Sequence, residues 1–384
     1  MKRILRSGYT TGACAAAAAM GAAEMLLTQT VVAEVAVELP TGERAAFKLH
    51  GQSFSEHEAS CFVVKDAGDD PDITNGAELH ALVTLVPFDS SASSLHRSAQ
   101  GADRRLSGVE APRPPFQKGG SSIVIEGGTG IGKVTKPGLA VPPGEWAINP
   151  VPRRMIEQAV NSVMSEFNIH NSTFKIVISI PDGEERAKKT LNARLGIIGG
   201  LSILGTTGIV RPISAKAWTD TVDAALDVAR ACGCGTVVLS TGRSSEMAAQ
   251  RHLPHLPEEA FIMMGDHVAY ALRACASRGF MRPVIACQFA KLLKTACGHE
   301  NTHAAASELD LAVLREWAEA AHVSPEKLAI IEHANTAREI AVASDFDREL
   351  MKLVACRARQ AAAVHATGIQ VRPLLCGYDG TVVL

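Results

Sequence analysis

The sequence predicts an α/β protein of two domains, with an α+β N-terminal half and an α/β C-terminal half. Three observations carry that expectation. The chain has 384 residues, more than a single core ordinarily organises. Its composition, 47% hydrophobic and 20% charged, is that of a folded globular protein. After the glycine-rich stretch Leu195–Pro212, short apolar runs alternate with helical periodicity, the pattern of a parallel sheet covered by helices. The boundary is drawn inside that stretch, giving domains 1–208 and 209–384.

Ala13 to Leu27 reads as an alanine-rich helix, with Thr10, Thr11 and Gly12 at its start suited to N-capping. Strands are expected at Val31–Leu39 and Ala45–Leu49 around the turn Pro40-Thr41-Gly42-Glu43. Further strands are expected at Cys61–Lys65 and Leu79–Val86, separated by an acidic turn. Residues 89–120 are rich in Ser, Pro and Gly and have little apolar periodicity, so they read as a mobile surface insertion. Ile123–Glu126 is a strand, Pro152–Phe167 a helix, Phe174–Ile180 a strand and Glu184–Leu191 a short helix. In the second half, helices at 219–231, 244–251 and 268–278 alternate with strands at 236–240, 261–264 and 283–287. Helices at 309–321 and near 346–365 follow, and strands at 370–376 and 381–384 close the chain.

Composition excludes some functions. A net charge of −2 argues against wholesale nucleic-acid binding, and 4% aromatics argue against stacking platforms for single strands. Nine scattered cysteines without a Cys-x-x-Cys pair suit a reducing cytosol. No apolar run of signal-peptide length follows MKRILRSGYTTG, and Leu195–Val210 is too short and glycine-rich to span a bilayer. The expectation is a soluble cytoplasmic protein with no membrane partner.

Three motifs invite chemistry. Glu126-Gly-Gly128-Thr-Gly130-Ile-Gly132-Lys133 follows a strand, as ligand-binding glycine loops do. It nearly matches a phosphate loop, but Val134 stands where a Ser or Thr would hold a metal, and Pro137 blocks the helix such loops need. A glycine turn and a non-Rossmann ligand loop both remain open. His299-Glu300-Asn301-Thr302-His303 matches a zinc-peptidase pattern, but its neighbours are weak helix formers and no third ligand follows. The acidic turn Asp66-Ala-Gly-Asp69-Asp70-Pro-Asp72 departs from a calcium loop at the sixth and twelfth positions counted from Asp70. Its aspartates either build turns or contact a ligand. No metal site is assigned. Arg153, Lys188, Arg211 and Arg243 are basic residues suited to an anionic ligand with many carboxylates.

Taken together, four long segments resemble the CbiD family of anaerobic cobalamin biosynthesis. They are Leu5–Ala16, Val64–Ala77, Gly128–Ala140 continuing to Ala147–Arg153, and Lys188–Pro212. Shorter matches follow at Ser240–Glu246, Gly265-Asp266 and Asn301-Thr302-His303. The glycines the family shows near Gln288–Lys294 are missing, although Lys291 and Lys294 remain. The resemblance implies a non-Rossmann methyltransferase using S-adenosyl-L-methionine as co-substrate. It would methylate C-1 of a cobalt-bound, ring-contracted tetrapyrrole to give cobalt-precorrin-6A. The cobalt would arrive with the substrate, and the resemblance implies transient hand-off to neighbouring pathway enzymes. The site residues it suggests are Asp69, Asp70 and His303 for proton handling. For substrate or donor they are Thr10, Thr11, Gly12, Gly128, Gly130, Gly132, Lys133, Arg153, Lys188, Thr206, Thr207, Arg211 and Arg243. Two rival readings are a non-catalytic corrinoid carrier and a zinc peptidase using His299, Glu300 and His303.

Overall fold

The computed structural model describes residues 5–87, 122–170, 172–212 and 214–384. The insertion read at 89–120 lies outside them. The chain forms two compact units, residues 1–135 with 143–213, and residues 136–142 with 214–384.

The first unit contains β1 (Gly8–Tyr9), α1 (Thr11–Thr28), β2 (Glu34–Glu38), β3 (Arg44–Lys48), β4 (His50–Phe54), β5 (Glu58–Val64) and β6 (Glu78–Pro87). It continues with β7 (Ser122–Gly127), β8 (Lys133–Val134), α2 (Pro150–Glu166), β9 (Ser172–Ser179), α3 (Gly183–Ala187), β10 (Ile197–Ile198) and β11 (Ile209–Val210). Its main sheet has the order β4-β5-β6-β9-β7. The chain is antiparallel from β4 to β9, while β7 joins β9 in parallel through the crossover helix α2.

β5 and β9 alternate buried and outward residues, so one face of the sheet carries Ala59, Cys61, Val63, Phe174, Ile176 and Ile178 into the core. α1 is buried around most of its circumference, and its alanines allow close packing against α2 and the sheet. Thr10 caps it and Gln29 ends it in the left-handed conformation. α1 is long and apolar enough to cross a membrane, but 78% of it is buried in the protein, as befits a core helix.

The second unit contains α4 (Ala215–Ala231), β12 (Val238–Ser240), α5 (Arg243–His252), β13 (Phe261–Met263), α6 (Val268–Ser277), β14 (Val284–Cys287) and α7 (Phe289–Ala296). α8 (Leu311–Ala320), α9 (Pro325–His333), α10 (Ala337–Ala343), α11 (Arg348–His365) and β15 (Arg372–Leu375) complete it. The expected parallel sheet is present, with order β13-β12-β14-β15. Val238, Phe261, Val284 and Leu374 face α5, while Leu239, Ile262, Ile285 and Leu375 face a core that includes α6, α7 and α11. Each strand is therefore apolar on both faces, as strands of a covered parallel sheet must be. The chain end returns to β15 through the bridge Cys376–Val382.

Candidate functional site

The first unit gathers the acidic turn, the start of α1 and the glycine loop, and most of their polar groups hold the fold. Lys65 directly follows β5 with its side chain 1% exposed, and its ammonium meets Asp72 at 2.6 Å. Asp72 also receives the amide and hydroxyl of Thr74 at 2.7 Å each. Burial pushes the Asp72 carboxyl up, but Lys65 and Thr74 outweigh it and hold it below its ordinary range. Asp66 forms a two-pronged pair with the Arg6 guanidinium. Asp69, exposed, accepts the Arg6 amide at 2.9 Å. Asp70 is half-buried beside it. The turn-building reading accounts for Asp66, Asp69 and Asp72.

The start of α1 offers less to a ligand than the sequence suggests. The Gly12 amide donates to the Leu204 carbonyl at 3.1 Å, and the Ala13 amide to the Thr10 hydroxyl at 3.2 Å. Thr11 receives the Leu204 amide at 2.9 Å and donates back to the Leu204 carbonyl. Thr10, Thr11 and Gly12 thus clamp segment 204–208 instead of presenting free amides to a carboxylate. Thr206 and Thr207 in that segment are exposed, and Thr207 closes a local turn on Ile209.

The glycine loop requires a similar correction. The Gly128 amide donates to Ile178 and the Gly132 amide to Leu201, while the Gly130 carbonyl accepts from the Leu201 amide. A side chain on Gly130 would begin 1.9 Å from the Ile180 carbonyl oxygen, and one on Gly200 would begin 2.2 Å from the Gly130 oxygen. Gly128 is equally confined, 2.3 Å from the Ser179 hydroxyl. These glycines let segments of the chain's own backbone cross, so Gly128 and Gly132 do not cradle a ligand with free amides. The expected absence of a helix after Gly132 holds: β8 follows directly. Lys133 is exposed and lies 4.5 Å from the Trp146 ring centroid.

The basic residues suggested for the first unit lie on different elements. Arg153, on α2, is half-buried and donates to the Ile125 carbonyl at 3.2 Å. Lys188 is exposed and paired with Glu185. Arg211 is exposed at the end of β11.

The second unit concentrates its candidates at one edge. Ser240–Glu246 run on from the last residue of β12, Gly265 and Asp266 follow β13, and Lys291 lies near the start of α7, which follows β14. All three sites sit at the carboxyl ends of parallel strands, where open α/β sheets bind ligands. Arg243 pairs with Glu246 at 2.7 Å; the Glu246 side chain is fully buried while that of Arg243 is 67% exposed.

Asp266 pairs with Lys291 and accepts the Thr302 hydroxyl at 2.7 Å. Burial pushes the Asp266 carboxyl up, but these partners hold it below its ordinary range. Lys291 and Lys294 both donate to the Thr302 carbonyl, and Lys294 also donates to Ser307 at 2.8 Å. Burial, helped by the neighbouring Lys291 charge, lowers the Lys294 ammonium's pKa. The two lysines thereby tether the loop that carries His303. Its ring Nδ1 accepts the Ala305 amide at 3.1 Å, which leaves the proton of the neutral ring on Nε2. Residues 299–303 are not helical, so the geometry of a zinc-peptidase helix is absent. Among the described residues no cluster of three His, Cys, Asp or Glu side chains could hold a metal.

Sequence reasoning missed Trp218 and the buried Lys65–Asp72 pair. Trp218, in the first turn of α4, donates its indole N–H to the Met264 carbonyl at 2.9 Å. Its ring lies against Gly265, where a side chain would begin 2.8 Å from the indole. The short match Gly265-Asp266 after a strand was the available signal. Burial raises the thiols of Cys14, Cys61 and Cys275 to about 12, which makes them inert core groups.

Comparison with known proteins agrees with the resemblance. The CbiD family model matches residues 1–212, and the model of the CbiD C-terminal domain matches residues 301–384. A protein of Pelobacter propionicus named cobalt-precorrin-5B C(1)-methyltransferase is 56% identical over 99% of this chain and 95% of its own length. One of Geobacter sulfurreducens with the same name is 57% identical over 99% and 98%. The solved structure of a cobalamin biosynthesis protein (CbiD) from Archaeoglobus fulgidus is 26% identical, covers 76% of this chain and 79% of its own, and superposes with a TM-score of 0.37.

Proposed function

The chain belongs to the CbiD family, and from that premise we propose that it methylates C-1 of cobalt-precorrin-5B, giving cobalt-precorrin-6A, with S-adenosylmethionine as donor. The observation that carries this reading is more than half identity, over nearly the whole chain, with relatives named for that reaction. The working compartment is the cytoplasm, consistent with nine free cysteines. The substrate is a small-molecule tetrapyrrole that brings its own cobalt, handed on to the next enzyme of the pathway.

The bound donor supplies a methyl carbon on a sulfonium, and the electron-rich ring carbon is itself the nucleophile. The chain therefore needs no activated Ser, Cys or Lys. It must hold the two carbons in line at ~3–3.5 Å and exclude water, since orientation supplies most of the advantage in such a displacement. Arg153, Lys188, Arg211 and Arg243 are the proposed contacts for the substrate's peripheral carboxylates. Lys133 and the exposed Thr206 and Thr207 are further contacts from the first unit. Asp69, Asp70 or His303 takes the proton that the macrocycle loses.

The test is a single-turnover incubation with methyl-labelled S-adenosylmethionine and the cobalt substrate, followed by mass analysis and NMR of the macrocycle. One labelled methyl at C-1 is expected. Corrinoid binding without methyl gain would instead identify a carrier.

A further inference from the structure

We propose that the methyl donor docks on the second unit, across the carboxyl ends of β13, β12 and β14. Its carboxylate would sit at the N-terminus of α5 and its adenine against Trp218. This rests on the methyltransferase reading above and adds the location of the donor.

The topology supplies the first argument. From β12 the chain passes through α5, on one face, to β13. From β14 it passes through helices that include α7 and α11, on the other face, to β15. β12 and β14 are neighbours whose connections diverge, and a crevice opens between the carboxyl ends of such strands. At ~4.8 Å between strands, three strand ends span about 10 Å. That suits a nucleoside carrying an amino-acid tail.

The second argument is Gly242. It is the N-cap of α5, and no side chain caps that helix. α1, α4, α8, α10 and α11 are capped by a side chain, whereas α2, α3, α6, α7 and α9, like α5, are not, so the missing cap gains meaning only from the glycine and from Ser240. The first amides of a helix have no partner within it, and they attract anions. Gly242 has an extended backbone, φ −174°, which any residue adopts. Among the described residues, no atom beyond its chain neighbours lies within 4 Å of where its side chain would begin. Neither conformation nor internal packing calls for glycine here, whereas close approach of a ligand does.

The third argument is independent of the helix. Ser240 is 0% exposed, and its hydroxyl has no hydrogen-bond partner among the described residues. It lies at the carboxyl end of β12 on the same strand face as Val238, the face that α5 covers, and α5 begins three residues later. A buried hydroxyl without a partner is costly and calls for a group to satisfy it. A fourth observation fixes the other end. Trp218 is 45% exposed, yet its indole is pinned to Met264 and backed by Gly265. A fixed, half-exposed indole is a platform for a purine or a sulfonium.

The experiment uses the full chain and reads donor binding without turnover. Labelled S-adenosylmethionine is measured by equilibrium dialysis, and an azido-adenosyl analogue is photo-crosslinked and mapped. Gly242→Val should weaken binding at least tenfold with unchanged circular dichroism and melting temperature. Trp218→Leu should do the same, and label should fall within residues 214–266. Ser240→Ala should raise the melting temperature of the free chain while reducing the rise that the donor produces. Wild-type affinity in Gly242→Val, label within residues 126–135, or failure of the wild-type chain to bind the donor overturns the proposal. Donor binding at this edge without methyl transfer to the macrocycle would sink the methyltransferase reading and leave the site standing.

Discussion

The loop at 127–132 and the loop at 240–243 both place glycine after a strand, yet they use it for opposite ends. In the first, each glycine faces the chain itself: Gly127 meets the Trp146 ring, Gly128 the Ser179 hydroxyl and Gly130 the Ile180 carbonyl. In the second, Gly242 has no atom of the described residues, beyond its chain neighbours, within 4 Å of where a side chain would begin. The difference lies in the next stretch of chain. Pro137 and the turn after it prevent a helix behind the first loop, so its amides pair with neighbouring backbone. A helix comes directly after the second, and its first turn has no side-chain cap. A glycine motif therefore becomes informative only once the partner of each amide is known.

The largest effect expected from this contrast belongs to Gly130→Ala. The residue has φ +73°, and the new methyl would begin 1.9 Å from a backbone oxygen that cannot rotate away. Conformational strain and overlap together should cost more than ~3 kcal/mol. Chemical denaturation measures it, and a loss below about 1 kcal/mol would break the account of this loop as a backbone crossing.

Asp72→Ala comes next and probes the other internal commitment of the first unit. It leaves the Lys65 ammonium, 1% exposed, without its carboxylate. Breaking a buried pair costs ~3–5 kcal/mol, and about 2–3 is expected here because Asp72 itself is 25% exposed. The wild-type chain has a matching pH signature. Asp72 titrates lower in the folded chain than in the unfolded one. Its contribution is therefore complete above the unfolded value near ~4 and disappears as pH falls through the folded value. Acid unfolding should lose that component in the variant; identical acid limbs would show that the pair contributes nothing.

Periodicity made most elements legible before any coordinates. The helix read at 13–27 spans Thr11–Thr28, and the strands read at 79–86 and 283–287 span Glu78–Pro87 and Val284–Cys287. β4 escaped because His50-Gly-Gln-Ser-Phe54 has no apolar alternation; pairing with β5 makes it a strand. α7, α9 and α10 escaped because each is shorter than three turns, too short to show a period. The candidate site was legible in part. Arg243 and His303 were singled out, and both lie in the second unit; Ser240–Glu246 and Gly265-Asp266 were noticed as isolated matches. Their common position at strand ends comes from strand order, which no local pattern contains. A different feature was hidden at Thr10, Thr11, Gly12, Gly128 and Gly132. Their types suit ligand contact, but residues distant in sequence, Ile178, Leu201 and Leu204, take up much of their bonding.

Lys294→Met tests whether the loop carrying His303 works as a positioning device. Lys294 is 8% exposed and its ammonium already bears a burial penalty, so methionine should alter stability by no more than about 1 kcal/mol. The carbonyls of Thr302 and Ser307 lose that donor, although Lys291 still reaches Thr302. If His303 takes part in the reaction, kcat should fall about tenfold while KM stays within about twofold, because small misplacements act on the transition state. Unchanged kcat would place His303 outside the chemistry.

The smallest stability effect is expected where the proposed functional effect is among the largest, at Gly242→Val. Valine is at home in extended backbone, and its Cβ would meet no atom of the described residues beyond its chain neighbours within 4 Å, so unfolding free energy should change by no more than ~0.5 kcal/mol. Replacing glycine also restricts the unfolded chain, which if anything favours folding slightly. A stability loss of about 2 kcal/mol or more would mean that Gly242 serves the fold as Gly130 does, and the contrast between the two loops would vanish. Unchanged stability together with lost donor binding separates them: one loop's glycines are used within the protein, and the other's glycine admits what the protein binds.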